Sequence, residues 1–95
     1  MPKAYFIAQV TVTDPDAYAR YSAATRGAAE KFGGRAIVRA GKMEVLEGHG
    51  RRMVVLEFDS LDAARSYYNS PEYQAARQHR LGAAEFDAVI VEGVE

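Results

Sequence analysis

The chain has no cysteine, which excludes disulfides, thiolate metal ligands and cysteine nucleophiles together. It also lacks an excess of either charge. Twelve basic and 13 acidic side chains give a formal net charge of −1, so there is no general electrostatic pull toward nucleic acid or an anionic membrane. No apolar run approaches the roughly 20 residues needed to span a bilayer. The opening segment MPKAYFIAQVTVTD carries one lysine and then alternates, without the continuous apolar stretch or small-residue cleavage site of a secretory leader. A cytoplasmic protein with no membrane partner is the expectation. There is no P-loop, no G-x-G-x-x-G and no G-x-S-x-G elbow; Gly48-His49-Gly50 precedes a strand and is too short to cradle a phosphate. His49 and His79 stand far apart, without HxxxH or HExxH spacing, so neither a metal site nor a cofactor is expected.

What is present is alternation. One set of residues comprises Phe6, Ala8, Val10 and Val12, then Ala36, Val38 and Ala40, then Val54, Leu56 and Phe58, then Phe86, Ala88 and Ile90. The interleaved set comprises Tyr5, Ile7, Gln9 and Thr11, then Arg35, Ile37 and Arg39, then Met53, Val55 and Glu57, then Asp87, Val89 and Val91. Side chains of a strand point to opposite faces with a period of two, so these sets become the two faces of one sheet. Helices can cover the first. The second is too apolar for open water and too charged for a plain core.

The elements follow in order. Residues 4–12 read as a strand, and Asp14-Pro15-Asp16 opens a helix with a cap, a first-turn proline and an acid at the positive end. Tyr18, Tyr21, Thr25, Ala28, Ala29 and Phe32 share one helical face, and Gly33-Gly34 stops the helix. Residues 35–40 and 43–47 read as a strand interrupted at Gly41-Lys42, and 52–59 as the third strand. Ser60 caps a helix over 61–69. Ser70-Pro71-Glu72 repeats the cap–proline–acid device, which breaks the chain at Ser70 and starts a helix over 71–81. Residues 86–92 close the series as a strand.

This β-α-β-β-α(α)-β order predicts an α+β ferredoxin-like sandwich: a four-stranded antiparallel sheet with helices on one face, as a single domain over 1–95. A chain of this length buries roughly 60–65% of its unfolded surface, so association would add useful burial. The apolar second face marks an interface. Two such sheets packed face to face form a dimeric α+β barrel, with Gln9, Arg39, Glu57 and Asp87 enclosed in a small-molecule cavity on the open sheet face. The order is shared with RNA-binding sheets, but RRMVVLEF lacks the base-stacking aromatics of such modules, so no nucleic-acid partner is expected.

The segments AQVTVTDPDAYARY, KFGGRAIVRAGKMEVLEG, VVLEFDS, YYNSPEYQAARQHR and FDAVIVEG together resemble the DUF1330 family, a domain of unknown function, across essentially the whole chain. The resemblance implies the dimeric α+β barrel superfamily, whose architecture is shared by cofactor-free monooxygenases, muconolactone isomerase, haem-degrading enzymes and ligand-sensing domains. It implies no particular reaction.

Glu57 sits in a strand otherwise apolar on both faces, where a carboxylate must be paired or hold its proton. Arg35 and Arg39 are its natural partners. Two uses of these residues stay open beside a purely structural one. As a cofactor-free enzyme on a small organic acid or aromatic, the protein would orient the anion with Arg39, move a proton with Glu57 or Asp87 and hydrogen-bond through Gln9. As a metabolite-binding or sensing module it would use the same cavity without acid–base chemistry. In the structural alternative the charged quartet only fixes dimer register. Tyr18 and Tyr21 fit core packing and also offer hydroxyls to an anionic or aromatic ligand. Ser70 and the helix start behind it serve as punctuation, or as an anion-binding terminus. Arg51-Arg52 read as a solvated edge.

Overall fold

Alternation of small apolar and polar residues makes Ala4–Val12 the first strand, β1, with Phe6, Ala8 and Val10 buried and Gln9 and Thr11 exposed. The computed structural model describes residues 2–95 and continues with α1 (Pro15–Lys31), β2 (Arg35–Arg39), β3 (Arg52–Phe58), α2 (Leu61–Asn69), α3 (Pro71–Arg80) and β4 (Ala84–Glu92). Each helix start is the device its sequence announces. The side chains of Asp14, Ser60 and Ser70 accept from the backbone N–H groups of Ala17, Ala63 and Tyr73. Past α1, Gly33 takes a left-handed φ of 78°. At Gly34 a Cβ would stand 2.5 Å from Cε1 of Phe58, so only glycine lets the chain enter β2 this close to the core.

The sheet is antiparallel throughout, in the order β2-β3-β1-β4, which is the expected α+β ferredoxin-like arrangement. One face carries the three helices over an aromatic core. The Phe6 and Tyr67 rings meet edge to face at 5.7 Å, Tyr67 and Tyr73 at 5.0 Å, and the Tyr21 and Tyr73 hydroxyls hydrogen-bond at 2.8 Å. The other face is bare. Across its middle runs the apolar row Val38, Val55, Ile7 and Val89, one residue from each strand.

The structure corrects the sequence reading in β2. The irregularity falls not at Gly41-Lys42 but between Ala36 and Val38: Ala36 pairs with Leu56 and Val38 with Val55, so Ile37 is an extra residue. Beyond it the faces exchange. Val38 joins the bare face, and Arg39, opposite Val54, turns to the helix side. Residues 43–47 form no strand. Ala40 takes a positive φ of 50° that turns the chain off the sheet, so the outer edge of β2 stays unpaired by it. The segment becomes an exposed loop with Leu46 89% accessible. β4 begins at Ala84 rather than at residue 86, because β1 is long enough for Val12 to pair with it.

Candidate functional site: a cavity between α1 and the sheet

Small residues where α1 crosses the sheet leave room between the two layers. Ala8, Ala29, Gly34 and Ala36 line a cavity of about 280 Å³ whose apolar floor is Phe6, Val54 and Leu56. Its roof is one face of α1: Tyr18, Tyr21, Ser22 and Thr25 follow at spacings of three and four. Four arginines line it: Arg35, whose guanidinium is bound to Glu57, and three others. Arg26 comes from the next turn of α1, Arg39 from the bulged strand, and Arg52 from the start of β3, opposite Val10. Arg52 lies over the Tyr18 ring, its guanidinium carbon 5.2 Å from the ring centroid.

The electrostatics of this cavity are one-sided. Among the described residues no carboxylate forms an ion pair with Arg26, Arg39 or Arg52, and the lining contributes one acid, Glu30. Burial pushes the Tyr18 phenol up from its ordinary range, partly offset by Arg52 and Arg80. Burial raises Tyr21 and Tyr67 further, reinforced by Tyr73. These phenols are therefore neutral at physiological pH and act as hydrogen-bond donors or acceptors, not as anions. The Thr25 hydroxyl donates to the Ser22 carbonyl at 2.9 Å, a bond inside the helix. An apolar slot with cationic edges and neutral phenols has the chemistry to hold an anion that carries a small apolar body.

Of the residues singled out from sequence, Tyr18, Tyr21 and Arg39 meet here. Gln9, Glu57 and Asp87 do not: they lie on the bare face, and the expected quartet is broken because the Ile37 bulge removes Arg39 from it. Glu57 accepts from Nε of Arg35 at 2.8 Å and also from its Nη2. Asp87 accepts from Nη1 of Arg51, whose Nη2 and Nε donate to the Glu85 carbonyl and the Thr11 hydroxyl. Of the Arg51-Arg52 pair, Arg52 is exposed, as expected for a solvated edge, whereas Arg51, just before β3, is tied to the bare face by these bonds. Ser70 is buried, and its hydroxyl accepts from the Tyr73 N–H at 3.1 Å and donates to the Tyr67 carbonyl at 2.7 Å. That hydroxyl is committed to joining α2 and α3. Sequence reasoning missed Ser22, Arg26 and Arg52. Helical spacing from Tyr18 finds the first two, and the alternation with Val54 finds the third.

Solved structures share this architecture. A protein of unknown function from Rhodopseudomonas palustris is 19% identical, with 99% of this chain and 84% of that chain covered at a TM-score of 0.78. The cofactor-independent oxygenase SnoaB from Streptomyces nogalater is 12% identical, with coverage of 100% and 96% and a TM-score of 0.69. A dimeric ferredoxin-like protein of unknown function from Jannaschia sp. is 16% identical, with coverage of 96% and 99% and a TM-score of 0.69. No curated protein matches the chain. At these identities the likeness establishes the fold. Residues 3–94 match the family model of DUF1330, a domain of unknown function, and the chain belongs to that family.

Proposed function

We propose that this protein binds a small organic acid, an anion on an apolar or aromatic body, in the cavity between α1 and the sheet, and that it works as a homodimer. The observation that carries the reading is the conjunction of an apolar floor with Arg26, Arg39 and Arg52, none of which has a carboxylate partner among the described residues. The volume of about 280 Å³ suits a ligand at the small end of the usual pocket range. The dimer is supported by the apolar row on the bare face and by the dimeric state named for the Jannaschia relative.

Titration calorimetry with a panel of small aryl and alkyl carboxylates tests the binding. Arg39→Ala or Arg52→Ala is expected to weaken the best ligand about tenfold each, the worth of one charge-assisted contact. The thermal midpoint should stay nearly unchanged, because both arginines are exposed. A panel that binds wild type and both variants alike contradicts the reading.

A catalytic version rests on the likeness to SnoaB. In it the guanidiniums would stabilise a substrate anion, the phenols would hydrogen-bond to it, and a cofactor-independent oxygenase or isomerase reaction would follow. The same residues serve a carrier or sensor that releases its ligand unchanged. Dioxygen uptake, with mass and NMR analysis of the recovered ligand, separates the two, since an isomer has the same mass but a different spectrum. Uptake abolished by Arg39→Ala supports the enzyme, and an unaltered ligand supports the binding module.

A further inference from the structure

The fold holds another cavity, of about 450 Å³, on the helix side of the sheet between α2, α3 and β4. Phe6 and Phe86 line both cavities and divide them. The second contains the most unusual side chain of the molecule. Arg80 is only 7% exposed, and its guanidinium carbon lies 3.7 Å from the Phe86 ring centroid and 5.3 Å from that of Tyr21. One helical turn earlier Arg77 lines the same cavity, and the Nε atoms of both arginines are shut from solvent without an acceptor.

A stack on an aromatic ring uses the face of a guanidinium, whereas its N–H groups point outward in the plane and still require acceptors. Among the described residues no carboxylate pairs with Arg77 or Arg80. The one acid of the lining, Asp87, is engaged elsewhere, since its carboxylate is bound by Arg51. Burying an unpaired guanidinium is costly, and an oxyanion supplies both the charge and the planar acceptors that its fork fits. The wall formed by Phe6, Tyr68 and Phe86 is apolar and aromatic.

We infer that the cavity between α2, α3 and β4 is a second binding site, for an oxyanion (carboxylate or phosphate) carried on an apolar body and held by Arg80 and Arg77. This site shares no arginine with the cavity under α1, so it stands or falls by itself.

The test is the side-chain Nε–Hε NMR spectrum of the full chain carrying Arg39→Ala and Arg52→Ala, titrated with phenylacetate and with phenyl phosphate. Saturable shifts of the Arg77 and Arg80 signals are expected with at least one probe, and the probe that binds tighter names the oxyanion. Arg80→Gln in that background is expected to weaken binding about tenfold or more. If that variant fails to fold, Arg77→Ala provides the same reading from a half-buried position. Arg80 and Arg77 signals that stay still with both probes overturn the inference, as do shifts that grow without saturating. Shifts seen in wild type but lost with Arg39→Ala and Arg52→Ala also overturn it, since they arise from the other cavity. The Arg39 and Arg52 signals of wild type report separately on the proposed function.

Discussion

One inserted residue decides where the Arg39 guanidinium goes. Counted by strict alternation, Arg39 falls on the bare face with Glu57; with Ile37 bulged, it stands opposite Val54 beside Tyr18 and Arg52. Sequence could not settle this, because Ile37 and Val38 are both apolar and either can be the outward residue. The tyrosines were more legible. Tyr18 and Tyr21 are spaced for one helical face, and both roof the cavity. Their burial carries a pH dependence, because unfolded phenols ionise near the ordinary value of 10.0, whereas Tyr18, Tyr21 and Tyr67 keep their protons to higher pH in the fold. Above that pH the unfolded chain binds fewer protons than the native one, so stability falls as pH rises. It is unaffected by these groups below it. Denaturant midpoints taken from about pH 9 to about pH 11 should drop, at a limiting slope of about 1.4 kcal/mol per pH unit for each withheld proton. Tyrosine absorbance at alkaline pH should change together with unfolding. Ionisation of all tyrosines in a still-folded protein would contradict the burial argument.

Among the elements, strands and helices announced themselves because their periods differ and because Asp14, Ser60 and Ser70 mark each helix start. Residues 43–47 alternate like a strand and are not one. The outer edge of β2 is open, but the left-handed turn at Ala40 (φ 50°) carries the chain off the sheet and the segment pairs with no strand. Alternation cannot report where the chain turns away. The bulge in β2 also ties an element to the site. Deleting Ile37 removes the extra residue and leaves Val38 opposite Val55 and Arg39 opposite Val54, so Arg39 should stay at the cavity. The expected result is carboxylate binding close to that of wild type, in a protein that keeps its far-ultraviolet circular dichroism. Binding weakened about tenfold, as for Arg39→Ala, would show that the pairing opposite Val54 is not what positions the arginine.

For the whole molecule, the bare face is the feature that a single chain leaves unfinished. Its row Val38, Val55, Ile7 and Val89 crosses all four strands, and Val89 is 59% exposed. A face-to-face pair related by a two-fold axis buries that row against itself and flanks it with the Arg35–Glu57 and Arg51–Asp87 pairs. In this arrangement Glu57 and Asp87 serve the seam, apart from the cavity under α1. Val89→Glu puts a charge into the apolar row of the seam and should convert a dimer into a 10.4 kDa monomer on sedimentation at micromolar concentration. A wild-type protein that already sediments as a monomer would refute the pairing. The face was legible in the sequence as too apolar for water. The cavity was not, because it arises from Ala8, Ala29, Gly34 and Ala36, small residues from separate segments that meet only in the fold.

The central claim is that the ligand lies beneath α1 and not in the seam, and the crystal structure of the dimer grown with the tightest carboxylate of the panel tests it most directly. The expected result places the carboxylate within hydrogen-bond distance of Arg39, Arg52 or the Tyr18 hydroxyl, with its apolar body against Phe6 and Leu56. A carboxylate bound on the bare face beside Glu57 and Asp87, with the space under α1 filled by side chains, would contradict it.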